Sequence, residues 1–256
     1  MSNPKIVCIS LWKGGVGKTT TAVNLSAGLA MAGKKVLLID NDPQANATIA
    51  LLPKNTIILN STRSLYFQGT LQNATHPSVV LGLDIVPATM DLATVELEIT
   101  SKIGRERLLQ KALKCDFAKQ YDYIIIDTPP LLGSIVINAL SAADELLIPV
   151  KGFYSLEGIQ QFLDVIESVR ENVNPHLKIG SVLLTMYDDH LLINRDIKKK
   201  VTEVFGERVL NTTIPPNIRL DEAPSYNQAI FSYDPDSKGA QAYKQLTEEL
   251  LSWWEA

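Results

Sequence analysis

Cysteine is scarce in this sequence: Cys8 and Cys115 are the only two in 256 residues, and they stand far apart. Without close pairing or metal-ligand spacing they exclude a disulfide-stapled scaffold and a cysteine-held cluster, so reduced thiols are expected. Histidine is almost as rare. The three, His76, His176 and His190, fall in loop contexts with neither triad nor metal spacing, and none is assigned catalysis. No apolar run approaches the ~18 residues that a spanning helix needs, and the opening MSNPKIVCISLWKGG lacks the charged region, apolar stretch and cleavage site of a secretory signal. A cytoplasmic location is expected. Positive charge is not in excess either, since 24 Lys and Arg against 28 Asp and Glu leave a net charge of −4. That balance argues against a constitutively basic nucleic-acid binder and confines any such contact to a local patch.

What is present is ordinary globular material, 46% hydrophobic and 20% charged, in a length that one hydrophobic core can organise. A single domain over residues 1–256 is expected. Short apolar, β-branched runs at Ile6–Leu11, Val36–Asp40, Leu83–Val86, Tyr123–Asp127, Glu145–Val150, Ile179–Thr185 and Val209–Ile214 read as strands. Their continuous hydrophobicity suits strands buried on both faces. Between them, Lys18–Ala32, Arg105–Ala118, Ser134–Ala143, Leu156–Glu171, Asn194–Phe205 and Ala240–Trp254 carry apolar residues at helical spacing. The alternation predicts an α/β fold, a mostly parallel twisted sheet flanked by helices on both faces. Ligands of such sheets sit beyond the strands' carboxyl ends, so the loops after Leu11, Asp40, Asp127 and Thr185 are where chemistry is expected. Leu52–Pro77 is irregular and reads as an inserted loop with a short helix near Ser64–Gln68. Within it Leu65–Gly69 spells LYFQG, the string of an affinity-tag protease site; a tag remnant belongs at a terminus, so coincidence is the better account.

The strongest local signal is Lys13-Gly14-Gly15-Val16-Gly17-Lys18-Thr19-Thr20, placed directly after an apolar strand and directly before a helix. Glycines there allow positive φ and let backbone N–H groups surround an anion, and the helix adds the positive end of its dipole. Lys18 is placed to reach the β- and γ-phosphates, and the Thr19 hydroxyl to ligate Mg²⁺. The strict phosphate-loop pattern requires glycine where this chain has Trp12, so the loop is a variant. Two further strands end in carboxylates. Val36–Asp40 runs into Asp40-Asn41-Asp42-Pro43-Gln44-Ala45-Asn46, and Tyr123–Asp127 runs into Thr128-Pro129-Pro130. An apolar strand ending in aspartate delivers a carboxylate rigidly to a metal ion or its water shell, which makes Asp127 the metal-side acid.

The loop KGGVGKTT resembles the deviant Walker A box of the ParA/MinD superfamily of phosphate-loop ATPases. Asp40–Asn46 is similar to that superfamily's second box, D-x-D-P-Q-G/A-N, and Asp127–Pro130 to its DxPP element. Beyond these, Leu83–Ala88, Ile137–Leu140, Tyr154–Gly158, Leu184–Asp188, Ile214–Ser225 and Tyr233–Pro235 look like chromosomal ParA (Soj) proteins, so the likeness covers nearly the whole chain. The resemblance implies ATP and Mg²⁺ as cofactors, hydrolysis to ADP and phosphate, and a homodimer in the ATP state. It implies that Lys13 reaches the partner's nucleotide, that Asp42 orients the attacking water with Asp40 assisting at the metal side, and that Met186, Pro215 and Asn217 hold the adenine. It further implies non-specific DNA binding by the dimer at the nucleoid, and stimulation by a ParB-like centromere-binding partner in chromosome or plasmid partitioning.

Two departures bear on DNA. Where relatives carry a basic residue shortly after T-M-x-D, this chain has Asp189 and His190; where many have I-P-R-N, it has Pro216. The remaining candidates are Arg219, which matches a family DNA-contact arginine, and Arg195, Lys198, Lys199 and Lys200 on one predicted helix. Losing two cations per subunit weakens a contact whose affinity comes from phosphate neutralisation. The alternatives are a nucleotide-regulated protein-binding switch with DNA binding weakened or lost, or a MinD-like positioning ATPase. Trp253 and Trp254 invite comparison with a membrane-targeting helix, but Glu248, Glu249 and Glu255 surround them where anionic lipid favours Lys and Arg. Core packing or a partner contact fits them better, and no membrane partner is expected.

Overall fold

The computed structural model describes residues 3–152 and 158–255. Eight strands, β1 (Lys5–Ile9), β2 (Val36–Asp40), β3 (His76–Pro77), β4 (Leu83–Val86), β5 (Tyr123–Asp127), β6 (Glu145–Val150), β7 (Lys178–Thr185) and β8 (Val209–Ile214), form one sheet. Its order is β3-β4-β2-β5-β1-β6-β7-β8. Every pairing is parallel except that of the two-residue β3 with β4, which is the α/β architecture expected. The two-residue period of the strands sorts their side chains into two cores. Cys8, Ile39, Ile126, Leu146 and Ile148 join Phe162 and Val136 on one face. Val7, Ile9, Leu38, Ile125 and Leu147 join Leu25, Leu29, Tyr243 and Leu246 on the other. Burial of each such large side chain contributes roughly 1.5–3 kcal/mol in transfer free energy. β1 lies at the switch point, with β5 on one side and β6 on the other, and the loop leaving it opens into the crevice where a ligand belongs.

Helices at Lys18–Met31, Ser134–Ala142, Leu192–Phe205 and Lys238–Trp254 match the periodic segments. A fifth runs Ile159–Asn172; its expected start at Leu156, like Tyr154–Glu157 of the family-like segment, lies outside the described residues. The expected Arg105–Ala118 helix is a correction. It is divided into a 3₁₀ turn at Arg105–Arg107, a helix at Leu108–Leu113 and another turn at Asp116–Gln120. Asn138 explains the first break: its Nδ2 donates to the Arg105 carbonyl (2.8 Å) and its Oδ1 accepts from the Leu109 N–H (3.1 Å). Those are the two groups that a continuous helix would join to each other.

In the Leu52–Pro77 insertion the short helix is Thr62–Leu65, followed by a second at Leu71–Ala74, earlier than the expected Ser64–Gln68. Leu65 and Tyr66 of LYFQG are buried in the core, and a Cβ on Gly69 would lie 2.7 Å from the Ser64 carbonyl oxygen. The string is an integral part of the fold. At the sheet's opposite end the Trp254 indole donates to Glu145 (2.9 Å), which also pairs with Lys5 (2.8 Å), so Trp254 is a packing residue. Among the described residues no helix is long and apolar enough to cross a membrane.

Candidate nucleotide site

The loop after β1 is shaped by two glycines in the left-handed region, Gly15 at φ 70° and Gly17 at φ 82°. Gly17 is the cap of the Lys18–Met31 helix and supplies no side-chain acceptor, and the first turn carries no acidic residue. The helix's leading N–H groups and dipole are thus available to an anion. Val16 is buried beneath the loop, and its carbonyl accepts from the Thr185 hydroxyl at the end of β7 (2.9 Å). Lys18 is only 6% exposed and its Nζ donates to the Lys13 carbonyl (2.8 Å), so the ammonium lies under the loop and pins its first residue. Burial lowers the Lys18 pKa, opposed by Asp127 and Asp42. A cavity of about 240 Å³ opens above, lined by Gly14, Gly15, Gly17, Lys18, Thr19, Thr20, Asp42, Gln44, Asn46 and Pro130. Of these, Gln44, Asn46 and Pro130 belong to motifs quoted from the sequence without being assigned to the site.

The strand register sets Asp40 beside Asp127 at the carboxyl edge of the sheet. Both carboxylates are fully buried. Neither oxygen of Asp127 has a hydrogen-bond partner, and burial, followed by the neighbouring Asp40 carboxylate, raises its pKa well above the usual range. Buried charge without a partner is unfavourable unless a cation completes it. A hard divalent cation with oxygen ligands fits these orphaned atoms, with Thr19 beside them as a second ligand; such an ion would neutralise charge building up on phosphate oxygens. Asp40, expected to assist at the metal side, also holds the loop that follows it. Its Oδ2 accepts from the Thr48 N–H and hydroxyl (2.7 Å each) and its Oδ1 from the Asp42 N–H (3.2 Å), so both oxygens shape the loop. Asp42 lines the phosphate cavity, with one oxygen accepting from the Gln44 N–H (2.9 Å). The turn closes at Ala45, at φ 55°.

The buried acid pair has a measurable consequence. Burial raises the Asp40 pKa from 3.8 to about 6, so the folded chain holds that proton more tightly than the unfolded one. Its stabilising share is full below the unfolded value and is lost as pH rises through the folded one. Nucleotide-free protein is therefore expected to melt at higher temperature at about pH 6 than at about pH 8 from this contribution. Asp127→Asn is expected to raise the pH 8 midpoint by about 2–4 °C, the shift that ~1 kcal/mol produces in a domain of this size, while losing Mg²⁺-dependent nucleotide binding. Calorimetry with and without Mg²⁺-ADP checks both, and a lowered midpoint for Asp127→Asn would sink the account.

Next to the phosphate cavity a second one, of about 230 Å³, brings together Met186, Pro215 and Asn217, the three residues expected at the base, with Gly17, Thr20, Thr185 and Tyr243. Met186 holds φ 48°, a left-handed backbone that is strained in an unbranched L-residue and common at ligand sites. Asn217 caps the Ile218–Glu222 helix by accepting from the Arg219 N–H (2.8 Å). Tyr243 belongs to a helix near the chain's end and reaches the loop helix through its hydroxyl, 3.1 Å from that of Thr21; nothing in the local sequence marks it.

The expected DNA-contact residues are only partly available. Arg219 pairs with Glu222 (2.8 Å) and Asp234 (3.3 Å). Arg195 donates to the Asp189 carbonyl (2.6 Å), and Lys198 lies over the Tyr187 ring (5.9 Å). Lys199 is exposed. Lys198 and Lys238 share one open cleft with Asp188, Asp189, His190 and Pro216, so the departures from the family pattern line the same cleft as these two cations.

Residues 4–179 match a family model described as an AAA domain. The chain is 43% identical over 249 residues to the chromosome partitioning protein ParA of Myxococcus xanthus, covering 96% of this chain and 88% of that protein. It is 44% identical over 250 residues to the sporulation initiation inhibitor protein Soj of Bacillus subtilis, covering 97% and 98%. Its fold is similar to the crystal structure of cobyrinic acid a,c-diamide synthase from Mycobacterium smegmatis with bound ADP and magnesium, at a TM-score of 0.85 and 31% identity over 99% of this chain and 96% of that one. With the loop, its paired aspartates and the adjoining cavity around Met186 in place, these likenesses settle the family: the chain belongs to the ParA/Soj chromosome-partitioning ATPases.

Proposed function

We propose that this ATPase is a nucleotide-driven dimerisation switch that partitions DNA, working as one domain over residues 1–256 in the cytoplasm. The observation that carries the reading is the phosphate cavity, which joins Lys18, Thr19 and Asp42 above the unpartnered Asp127 oxygens and stays open on the side of Gly14 and Gly15. ATP with Mg²⁺ is the substrate. The loop N–H groups and Lys18 hold the β- and γ-phosphates, Asp127 and Thr19 hold the metal, and Asp40 fixes the turn that presents Asp42. Asp42 orients a water in line with the γ-phosphorus. The new P–O bond forms as the bond to the ADP oxygen breaks, and the water's protons pass to the departing phosphate and to solvent, giving ADP and phosphate; positioning and charge stabilisation account for the rate.

Lys13 begins the loop at the cavity's mouth, its carbonyl held by Lys18. In the ATP state its ammonium completes the site of a second copy, as an arginine finger does. The rim supports such a contact: Leu131 and Leu132 follow the cavity-lining Pro130 and are exposed, an apolar edge suited to cover by a second copy. Arg219, Arg195, Lys198 and Lys199 provide the non-specific DNA contact in the dimer, and a ParB-like protein stimulates hydrolysis. The acidic residues in the Lys198 cleft make this grip weak, so that moderate salt is enough to release it.

The test combines sedimentation with DNA retardation. Mg²⁺-ATP or a slow analogue is expected to give a dimer and Mg²⁺-ADP a monomer. The ATP form is expected to retard DNA at about 50 mM salt and to release it by about 200 mM, as counterion release predicts. An ATP dimer that retards nothing at low salt would overturn DNA binding and favour the protein-binding switch. Absence of any ATP-dependent dimer would overturn the switch itself.

A further inference from the structure

Behind the two carboxylate loops lies a buried polar chain that the reaction as described does not use. Asn41, between Asp40 and Asp42 in sequence, is wholly buried. Its Nδ2 donates to the Ile135 carbonyl (3.2 Å), at the start of the helix that follows the Asp127 loop, and its own N–H donates to the Asp127 carbonyl (3.1 Å). Its Oδ1 accepts from the Tyr66 hydroxyl (2.9 Å). Tyr66 comes from the Leu52–Pro77 insertion and is 1% exposed, and burial pushes its phenol pKa up, so it remains a donor. One short helix earlier, the Thr62 hydroxyl donates to the Asp40 carbonyl (2.6 Å). The insertion thus touches the Asp40–Asp42 loop at two successive residues, and through Asn41 that loop is tied to the Asp127 loop.

We propose that Tyr66 and Asn41 are positioning residues for hydrolysis, a brace that fixes the loop carrying Asp42 relative to the loop carrying Asp127. The proposal rests on the roles given above to those two aspartates. Apolar packing could fill this space equally well, and an amide bridged to a phenol demands more, because each buried polar atom must keep its partner. What such a chain adds is direction: it sets the separation and orientation of two backbones, whereas apolar contact tolerates sliding. Reaction geometry is sensitive on that scale, since displacement by about 1 Å lowers rates by about 10²-fold. Ground-state nucleotide binding, made mainly by the phosphate loop and the base pocket, does not depend on the brace.

The test uses the full-length protein, Tyr66→Phe, and the double variant Tyr66→Phe/Asn41→Leu. Three quantities are measured for each: single-turnover hydrolysis of Mg²⁺-ATP, Kd for Mg²⁺-ADP, and thermal midpoint. Tyr66→Phe removes one hydroxyl and leaves Asn41 Oδ1 unpaired. It is expected to slow hydrolysis about tenfold, as loss of one buried hydrogen bond at the transition state would, with Kd changed by less than about twofold. The double variant removes the phenol and the amide together and leaves only the Ile135 carbonyl, which its own helix pairs, so its midpoint is expected to recover towards wild type while hydrolysis stays slow. Wild-type hydrolysis in Tyr66→Phe, a parallel loss of Kd, or hydrolysis that recovers together with the midpoint would each overturn the brace. Asp42→Ala, run alongside, separates the failures: if it too hydrolyses normally, the reading of the site has failed, and if it alone is inactive, only the brace has.

Discussion

Lys18→Ala is expected to abolish nucleotide binding, raising Kd for Mg²⁺-ADP and for a slow ATP analogue by at least about 10²–10³-fold. Lys18 is the buried cation of the site, its ammonium donating to the Lys13 carbonyl and facing Asp127 and Asp42. Removing it has two effects of the same sign. The triphosphate loses a desolvated charge-assisted partner, and the buried acids meet the incoming anion with nothing between them. Breaking one side of a buried ion pair costs about 3–5 kcal/mol, and each ~1.4 kcal/mol is tenfold in affinity. The loop also loses the bond that folds its first residue inward, so the dimer-completing position of Lys13 is lost together with the ligand. Titration calorimetry measures the affinity, and circular dichroism confirms that the variant is folded. A folded Lys18→Ala that binds within tenfold of wild type would show that the triphosphate lies elsewhere.

The second large effect falls on turnover alone. Asp42→Ala is expected to bind ATP at near wild-type affinity, accumulate as the ATP dimer and hydrolyse about 10²–10⁴-fold more slowly, the range typical of a positioned acid–base group. Because Asp42 also accepts from the Gln44 N–H, alanine loosens the turn as well as removing the charge. Asp42→Asn separates the two: its side-chain carbonyl can still accept that bond, so slow turnover in both variants assigns the effect to the carboxylate. Slow turnover in alanine with normal turnover in asparagine would make Asp42 a turn-holding residue and remove it from the chemistry. Sedimentation in ATP and phosphate release are the two measurements.

Much of the site was legible because its parts are contiguous. Lys13–Thr20 carries its own backbone instructions, glycines at the two left-handed positions and a strand and helix on either side, so reading it required no knowledge of distant residues. The same holds for apolar strands ending in Asp40 and Asp127. Legibility stopped where a residue's role depends on who its neighbour is. The sequence pattern at Arg105–Ala118 is helical throughout, yet Asn138 intercepts the pair of backbone groups that would have continued the helix. The position of Asp40 suggested a metal-side acid, and nothing in that position announced that Thr48 and the Asp42 N–H would donate to its oxygens. Arg219 matched a family contact on identity alone; its pairing with Asp234, fifteen positions on, could be seen only once the two segments had met.

The amino-acid order by itself therefore determined the class of fold, the phosphate loop, the acids at the strand ends and the family to which they belong, because each is encoded in a run of neighbouring residues whose backbone preferences and periodicity act locally. Only the tertiary structure decided which carboxylate is left without partners, which cations are already paired, and that Tyr66 and Tyr243, from an insertion and from the last helix, close on the nucleotide loops. Hydrogen bonding and desolvation act over a few ångströms of space, and distances of that kind between remote segments exist only after the sheet has assembled.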